Sequence, residues 1–151
     1  MSDSGFVAYE AQCAAFAALR AEILPGNKAT LFQALSDAGI RTVVVGFDGC
    51  GDSGQIESVV ARDADGVEVE IPLGDLTVRS VEFETCMTTE RTTTVSDLVE
   101  RMAYEFLHRT HGGWEDNEGA YGEFIFDVAE QSITLDYNER YIETHCHQHE
   151  F

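Results

Sequence analysis

The chain has 151 residues, of which 44% are hydrophobic and 25% are charged. This length and composition fit one globular domain with its own hydrophobic core. Acidic residues outnumber basic ones by 28 to 9, which gives a formal net charge of −19. Because nucleic-acid binding needs a surface rich in lysine and arginine, this balance excludes direct binding of DNA or RNA.

Nothing in the sequence predicts export or membrane insertion. The first residues, MSDSGFVAYEAQC, lack a basic segment followed by an apolar one, and no apolar run reaches the roughly 18 residues of a membrane helix. The four cysteines form no C-x-x-C pair, which indicates reduced thiols rather than disulfide bonds or a zinc finger. We therefore expect a soluble cytoplasmic protein that associates with no membrane.

The N-terminal region predicts two helices. Apolar residues recur every three or four positions over residues 6–24, which is the spacing of an amphipathic helix. Pro25-Gly26-Asn27 is expected to end that helix, and a shorter helix is expected over residues 28–38. Residues 1–39 are therefore predicted to form a helical hairpin.

A first β-meander is predicted over residues 40–90. IRTVVVGF, QIESVVARD and GVEVEIPL are β-prone runs, and Asp63-Ala64-Asp65-Gly66 has the composition of a hairpin turn between the last two. The threonine-rich residues 76–90 fit either a further strand or a surface loop.

A helix over residues 94–111 and a second β-meander over residues 112–151 complete the prediction. Thr94 or Ser96 can cap the helix VSDLVERMAYEFLHRT. EFIFDVA, SITLDY and RYIETHCHQHEF then read as three strands. The predicted fold is α+β, with helices packed on a mainly antiparallel sheet in a single domain.

Gly51-Asp52-Ser53-Gly54 resembles the serine motif of trypsin-like proteases, but the chain does not support a nucleophile there. That mechanism uses two β-barrels of roughly a hundred residues each. All five histidines also follow Ser53, although the trypsin-like order places the histidine first. We expect Ser53 to be a turn residue and the protein not to be an enzyme.

Two acidic glycine loops repeat one pattern. Asp48–Gly54 and Asp116–Gly122 both read D-x-x-G-x-x-G, and each precedes a β-prone run that reaches Val-Ala. The repeat predicts that the loops lie side by side at one end of a sheet. Their carboxylates, on Asp48, Asp52, Asp116 and Glu118, repel phosphate and are candidate ligands of a hard cation. Tight turns with solvated acids are the alternative.

Three histidines alternate along the last predicted strand. His145, His147 and His149 would project to one face, roughly 7 Å apart. Such an H-x-H pair can bind zinc, whereas an exposed polar strand edge explains the same pattern without metal. These histidines stay metal-ligand candidates, and no cofactor is expected.

GFDGCGDSGQIE and HGGWEDNEGAYGEFIFDVAEQSITLDYNERY resemble a bacterial domain-of-unknown-function family carried on plasmids, phages and other mobile elements. The resemblance covers about the last two-thirds of the chain and implies no assigned activity. By analogy it implies a genetic context in which small acidic proteins resemble anti-defence inhibitors, including anti-CRISPR proteins that block a surveillance complex.

The leading prediction is an acidic, non-enzymatic protein that docks on the basic nucleic-acid-binding groove of a partner, such as a CRISPR surveillance complex. The alternative is a metal-binding protein or metal-dependent enzyme that uses the acidic loops or the histidines. The oligomeric state stays open. The predicted partner-binding residues are Trp114, Glu115, Asp116, Glu118, Tyr121, Glu123, Asp127, Asp136, Glu139, Asp48 and Asp52.

Overall fold

A computed structural model describes residues 2–50, 53–116 and 118–151, without the side chains of residues 2–4, 6 and 53. The elements are α1 (Ser2–Asp37), β1 (Thr42–Cys50), β2 (Ser53–Arg62), β3 (Glu68–Val69), β4 (Asp75–Val81), β5 (Thr88–Thr94), α2 (Val95–Thr110), β6 (Ala120–Asp127) and β7 (Ser132–Glu139). The fold is α+β, as predicted.

Helix α1 is continuous, so the predicted helical hairpin over residues 1–39 is wrong. Pro25 lies inside the helix, where a proline costs about 3 kcal/mol of helix stability. Tertiary hydrogen bonds offset part of this cost. The Asn27 side-chain amide donates to the backbone carbonyl of Arg79 (2.9 Å), and the backbone N–H of Arg79 donates to the Asn27 Oδ1 atom (2.8 Å). The predicted turn segment therefore docks α1 on strand β4.

The two predicted meanders join into one sheet. Its five antiparallel strands are ordered β3-β2-β1-β6-β7, so β1 is central. The turn at residues 63–66 connects β2 to β3, as predicted. The threonine-rich residues 76–90, which the sequence left open, supply most of β4 and the start of β5, and these two strands pair as a separate antiparallel ribbon.

One face of the five-stranded sheet packs against the helices. Val43, Val45 and Phe47 of β1 are buried, and the intervening residues of that strand are half-buried. The Phe32 ring of α1 lies 6.4 Å from the Phe126 ring of β6, measured between centroids. The buried cluster includes residues of α1, α2, the sheet and the ribbon, so all of these elements share one core.

Helix α2 begins as predicted. The Thr94 hydroxyl oxygen accepts a hydrogen bond from the backbone N–H of Asp97 (3.2 Å), and His108 and Arg109 lie in the last turn. Within the described part of the chain, neither helix has an apolar stretch long enough to cross a bilayer.

The predicted strand at the C-terminus is wrong. Strand β7 ends at Glu139, and residues 140–151 carry no regular secondary structure. The backbone N–H of Arg140 donates to the Gly119 carbonyl (3.0 Å), which continues the β6–β7 register by one residue, and its side chain turns toward β1. Residues 141–151 are exposed.

Candidate functional site

The two glycine loops lie side by side, as the repeat predicted. Strands β2 and β6 both pair antiparallel with β1, so both begin at the same end of the sheet. Gly49 of β1 pairs with Gly54 on one side and with Ala120 on the other. We call residues 48–50, 53–54, 113–116 and 118–122 the glycine-loop end. Asp52, a predicted site residue, lies outside the described residues, as does the side chain of Ser53.

Trp114 fills the centre of the glycine-loop end. Only 6% of its surface is exposed, and its ring meets the Phe47 ring edge-on at a centroid distance of 5.5 Å. A Cβ atom on Gly49 or Gly54 would lie 2.6 or 2.5 Å from the indole ring. These two glycines therefore make room for tryptophan, and no phosphate cradle is needed to explain them. Core packing covers most of the Trp114 ring, which leaves little of it exposed for the predicted partner contact.

Arg140 ties the two loops together, and the sequence analysis did not select it. Its Nη2 atom lies 2.9 Å from Asp48 Oδ2, and its Nη1 atom donates to the Gly49 carbonyl at 3.1 Å. The guanidinium carbon lies 4.7 Å from the centroid of the Tyr121 ring. The hydrogen bond to Asp48 raises the pKa of Arg140, and burial opposes that effect.

One signal in the sequence marks Arg140. Residues 115–151 contain ten acidic residues and this single arginine. A single arginine among many acidic residues is expected to form an ion pair with one of them. The sequence could not identify Asp48 as that partner, because the two residues are far apart along the chain.

Of the candidate cation ligands in the loops, Asp48 forms an ion pair with Arg140. Within residues 2–50, 53–116 and 118–151, no three His, Cys, Asp or Glu side chains are grouped as metal ligands. His145, His147 and His149 are exposed and do not share a strand face. His145 Nε2 lies 3.4 Å from Glu143 Oε1.

Tyr121 and several of the predicted acidic residues share the sheet face that points away from the helices. Strand alternation and register place Asp48, Tyr121, Glu123, Asp127 and Asp136 on this face. Glu123 and Asp136 are directly opposed across β6 and β7. Arg41 approaches Asp127 only to 4.0 Å.

Most of the other predicted residues lie around a groove at the end of the sheet, where the register places Glu139 on the face opposite to that of Glu123 and Asp136. It has a volume of about 330 Å³, and its lining includes Asp116, Glu118, Glu139, Arg140 and Tyr141. Glu115 is half-buried nearby, and its Oε2 atom has no hydrogen-bond partner among the described residues. We call Asp116, Glu118, Glu123, Asp127, Asp136 and Glu139 the acidic surface.

Tyr137, which lines the groove, stacks on the ring of His111. The His111 and Tyr137 rings are nearly parallel, at 5°, with their centroids 3.6 Å apart. Burial raises the pKa of Tyr137, and the charges of Glu139 and Glu115 add to that effect. Tyr137 therefore stays a neutral phenol at physiological pH, and it contributes apolar surface beside the acids.

Fold and site define an α+β protein whose two glycine loops meet at one end of a sheet beside an acidic surface. The chain belongs to DUF6878, a family of unknown function, which matches residues 23–151. No curated protein and no solved structure matches the chain. The family match starts within α1 and contains both glycine loops and the acidic surface.

Proposed function

We propose that this protein is a non-enzymatic binding protein whose acidic surface occupies the basic, nucleic-acid-binding groove of a partner protein. The observation that carries the proposal is the placement of Glu123 directly opposite Asp136 on an outward sheet face. Like charges in directly opposed cross-strand positions destabilise a sheet. A basic partner would convert this unfavourable pair into a favourable contact.

The electrostatic field of this surface supports the proposal. The nearby cation Arg140 is neutralised by Asp48, which leaves the charges of Glu123 and Asp136 without a cation within 4.0 Å among the described residues. Uncompensated charge of one sign steers a partner of opposite sign during encounter.

Exposed apolar side chains beside the acids can supply short-range contacts. Tyr121 is 45% exposed, and Tyr141 and Ile142 are 78% and 72% exposed. Aromatic residues that lose water on binding dominate many protein interfaces. These side chains replace Trp114 as the expected anchors.

The resemblance to proteins of mobile elements suggests the kind of partner. A nucleic-acid-binding groove of a CRISPR surveillance complex, or of another bacterial defence protein, carries the complementary positive charge. The protein would act in the cytoplasm and compete there with the partner's nucleic acid.

A pull-down from bacterial lysate with matched baits tests the proposal. Wild type should capture a basic protein that Glu123→Lys/Asp136→Lys loses. The control Glu57→Lys/Glu68→Lys reverses two exposed acids on β2 and β3 and should retain it. Binding of the purified partner should weaken steeply with salt and should be displaced by the partner's own nucleic acid.

Two results would argue against this function. One is equal capture by both Lys variants, which would place the binding surface elsewhere. The other is stoichiometric zinc or calcium in the purified protein, with loss of thermal stability in EDTA, which would favour the metal-binding alternative.

A further inference from the structure

A second cavity, away from the glycine loops, collects much of the chain's positive charge. It lies between α1, α2 and the β4–β5 ribbon and has a volume of about 250 Å³. Four arginines and one glutamate are the charged residues of its lining, namely Arg20 (α1), Arg79 (β4), Arg91 (β5), Arg101 (α2) and Glu105 (α2). The whole chain contains only 9 basic residues. We call this cavity the arginine cleft.

The arginines of this cleft are incompletely paired. Arg20 forms an ion pair with Glu105, with 3.0 Å between Nη2 and Oε1. Among the described residues, no carboxylate lies within 4.0 Å of the Arg91 or Arg101 guanidinium. The ribbon register pairs Arg91 with the buried Val78, so Arg91, although exposed, lies on the ribbon face that turns toward the helices. Arg79 follows Val78 and pairs with Glu90, so its side chain lies on the other face and only Arg20, Arg91 and Arg101 direct their charge to the cleft.

The charges of Arg91 and Arg20 act on Arg101. Burial lowers the pKa of Arg101, and the nearby charge of Arg91 lowers it further. Arg20 acts in the same direction, and Glu105 compensates only partly. Arg91 and Arg101 are both exposed, so an anion from the solvent can reach their guanidinium groups.

We propose that the arginine cleft binds the phosphate group of a small molecule. A phosphate monoester carries nearly two negative charges at neutral pH, which matches the two unpaired guanidinium groups of Arg91 and Arg101. The planar fork of arginine also fits phosphate oxygens better than a lysine would.

The remaining lining favours a ligand with an apolar part. Phe16, Ile23, Leu24, Val78, Leu98 and Met102 contribute to the walls. The small volume and the surrounding negative charge disfavour a nucleic acid, which would bring many phosphates toward a repelling surface. A compact phosphate ester brings only one phosphate group, and salt at physiological strength screens the more distant acids.

Calorimetric titration of the full chain with phenyl phosphate and with inorganic phosphate tests this site. We expect saturable binding with one site per chain, tighter for phenyl phosphate because its ring can use the apolar walls. Arg91→Gln and Arg101→Gln should each weaken binding at least about tenfold. Arg62→Gln removes an equal charge from an exposed position on β2 and should leave binding unchanged.

Thermal unfolding provides a second readout, because it reports the stability of each variant without phosphate as well as its stabilisation by phosphate. Without phosphate, Arg101→Gln should keep or raise the unfolding temperature, because it relieves repulsion. With phosphate, only wild type and Arg62→Gln should gain stability. Equal stabilisation of all variants, or an equal effect of sodium acetate at the same ionic strength, would overturn the proposal.

Discussion

At the scale of single residues, close packing explains the glycines of the two loops. The motif D-x-x-G-x-x-G suggests a cradle for a ligand, but Gly49 and Gly54 lie against the ring of Trp114. Gly119 has a φ of +75°, and a side chain there would collide with the Gly49 carbonyl. Each glycine permits a close approach between segments that are distant in sequence. The sequence predicted that the loops meet, but it could not show that tryptophan fills the space between them.

Gly49→Ala tests this packing. The added Cβ would lie 2.6 Å from the Trp114 ring, and that ring has little room to move because it is buried. We expect a loss of about 1–3 kcal/mol in the free energy of unfolding, measured by urea titration. Gly74→Ala is the control, since nothing lies within 4 Å of its added Cβ. An equally small effect at both glycines would mean that the loop end is loosely packed.

At the scale of elements, the sequence predicted best the features that depend on hydrogen bonds between residues close together in the chain. The α2 cap at Thr94 and the turn at residues 63–66 are local hydrogen-bonded features, and both are present. The segment RYIETHCHQHEF failed as a strand because its alternation leaves no continuous apolar face for the core to bury. Helix α1 was misjudged because the contact that holds Asn27 comes from β4, far along the chain.

Asn27→Ala tests how α1 is held. The change removes both hydrogen bonds to the Arg79 backbone, so we expect about 1–2 kcal/mol lower stability in urea unfolding without phosphate. Gln33→Ala is the control on the same helix, because the Gln33 amide donates to Asp37 Oδ1, one turn away (2.8 Å), and not to another element of the described chain. Both substitutions raise helix propensity. If Asn27→Ala were as stable as Gln33→Ala, the bonds to β4 would not be what fixes the helix.

At the scale of the whole molecule, the charges are segregated. Acidic residues gather on the outward face of β6 and β7 and around the groove, whereas arginines converge in the arginine cleft. Composition predicted the acidic surface, because 28 acidic side chains must cover much of a small protein. Composition could not predict the arginine cleft, since its residues come from α1, β4, β5 and α2 and meet only in the fold.

The concentration of negative charge at the acidic surface should lower the free energy of unfolding by a measurable amount. Asp136→Asn removes one charge of the opposed pair with Glu123, and we expect it to raise the free energy of unfolding by about 0.5 kcal/mol at low salt. Asp75→Asn makes the same chemical change at an exposed position on β4 that faces Thr94, so it reports the effect of net charge alone.

Urea unfolding of both variants from 20 mM to 1 M salt separates the two effects. The advantage of Asp136→Asn over Asp75→Asn should shrink as salt rises, because the Debye length falls to about 3 Å at 1 M. Equal gains from the two variants at low salt would mean that Glu123 and Asp136 avoid each other in solution. The negative charge would then act only through the net charge of the protein, and the opposed pair would no longer support a built binding surface.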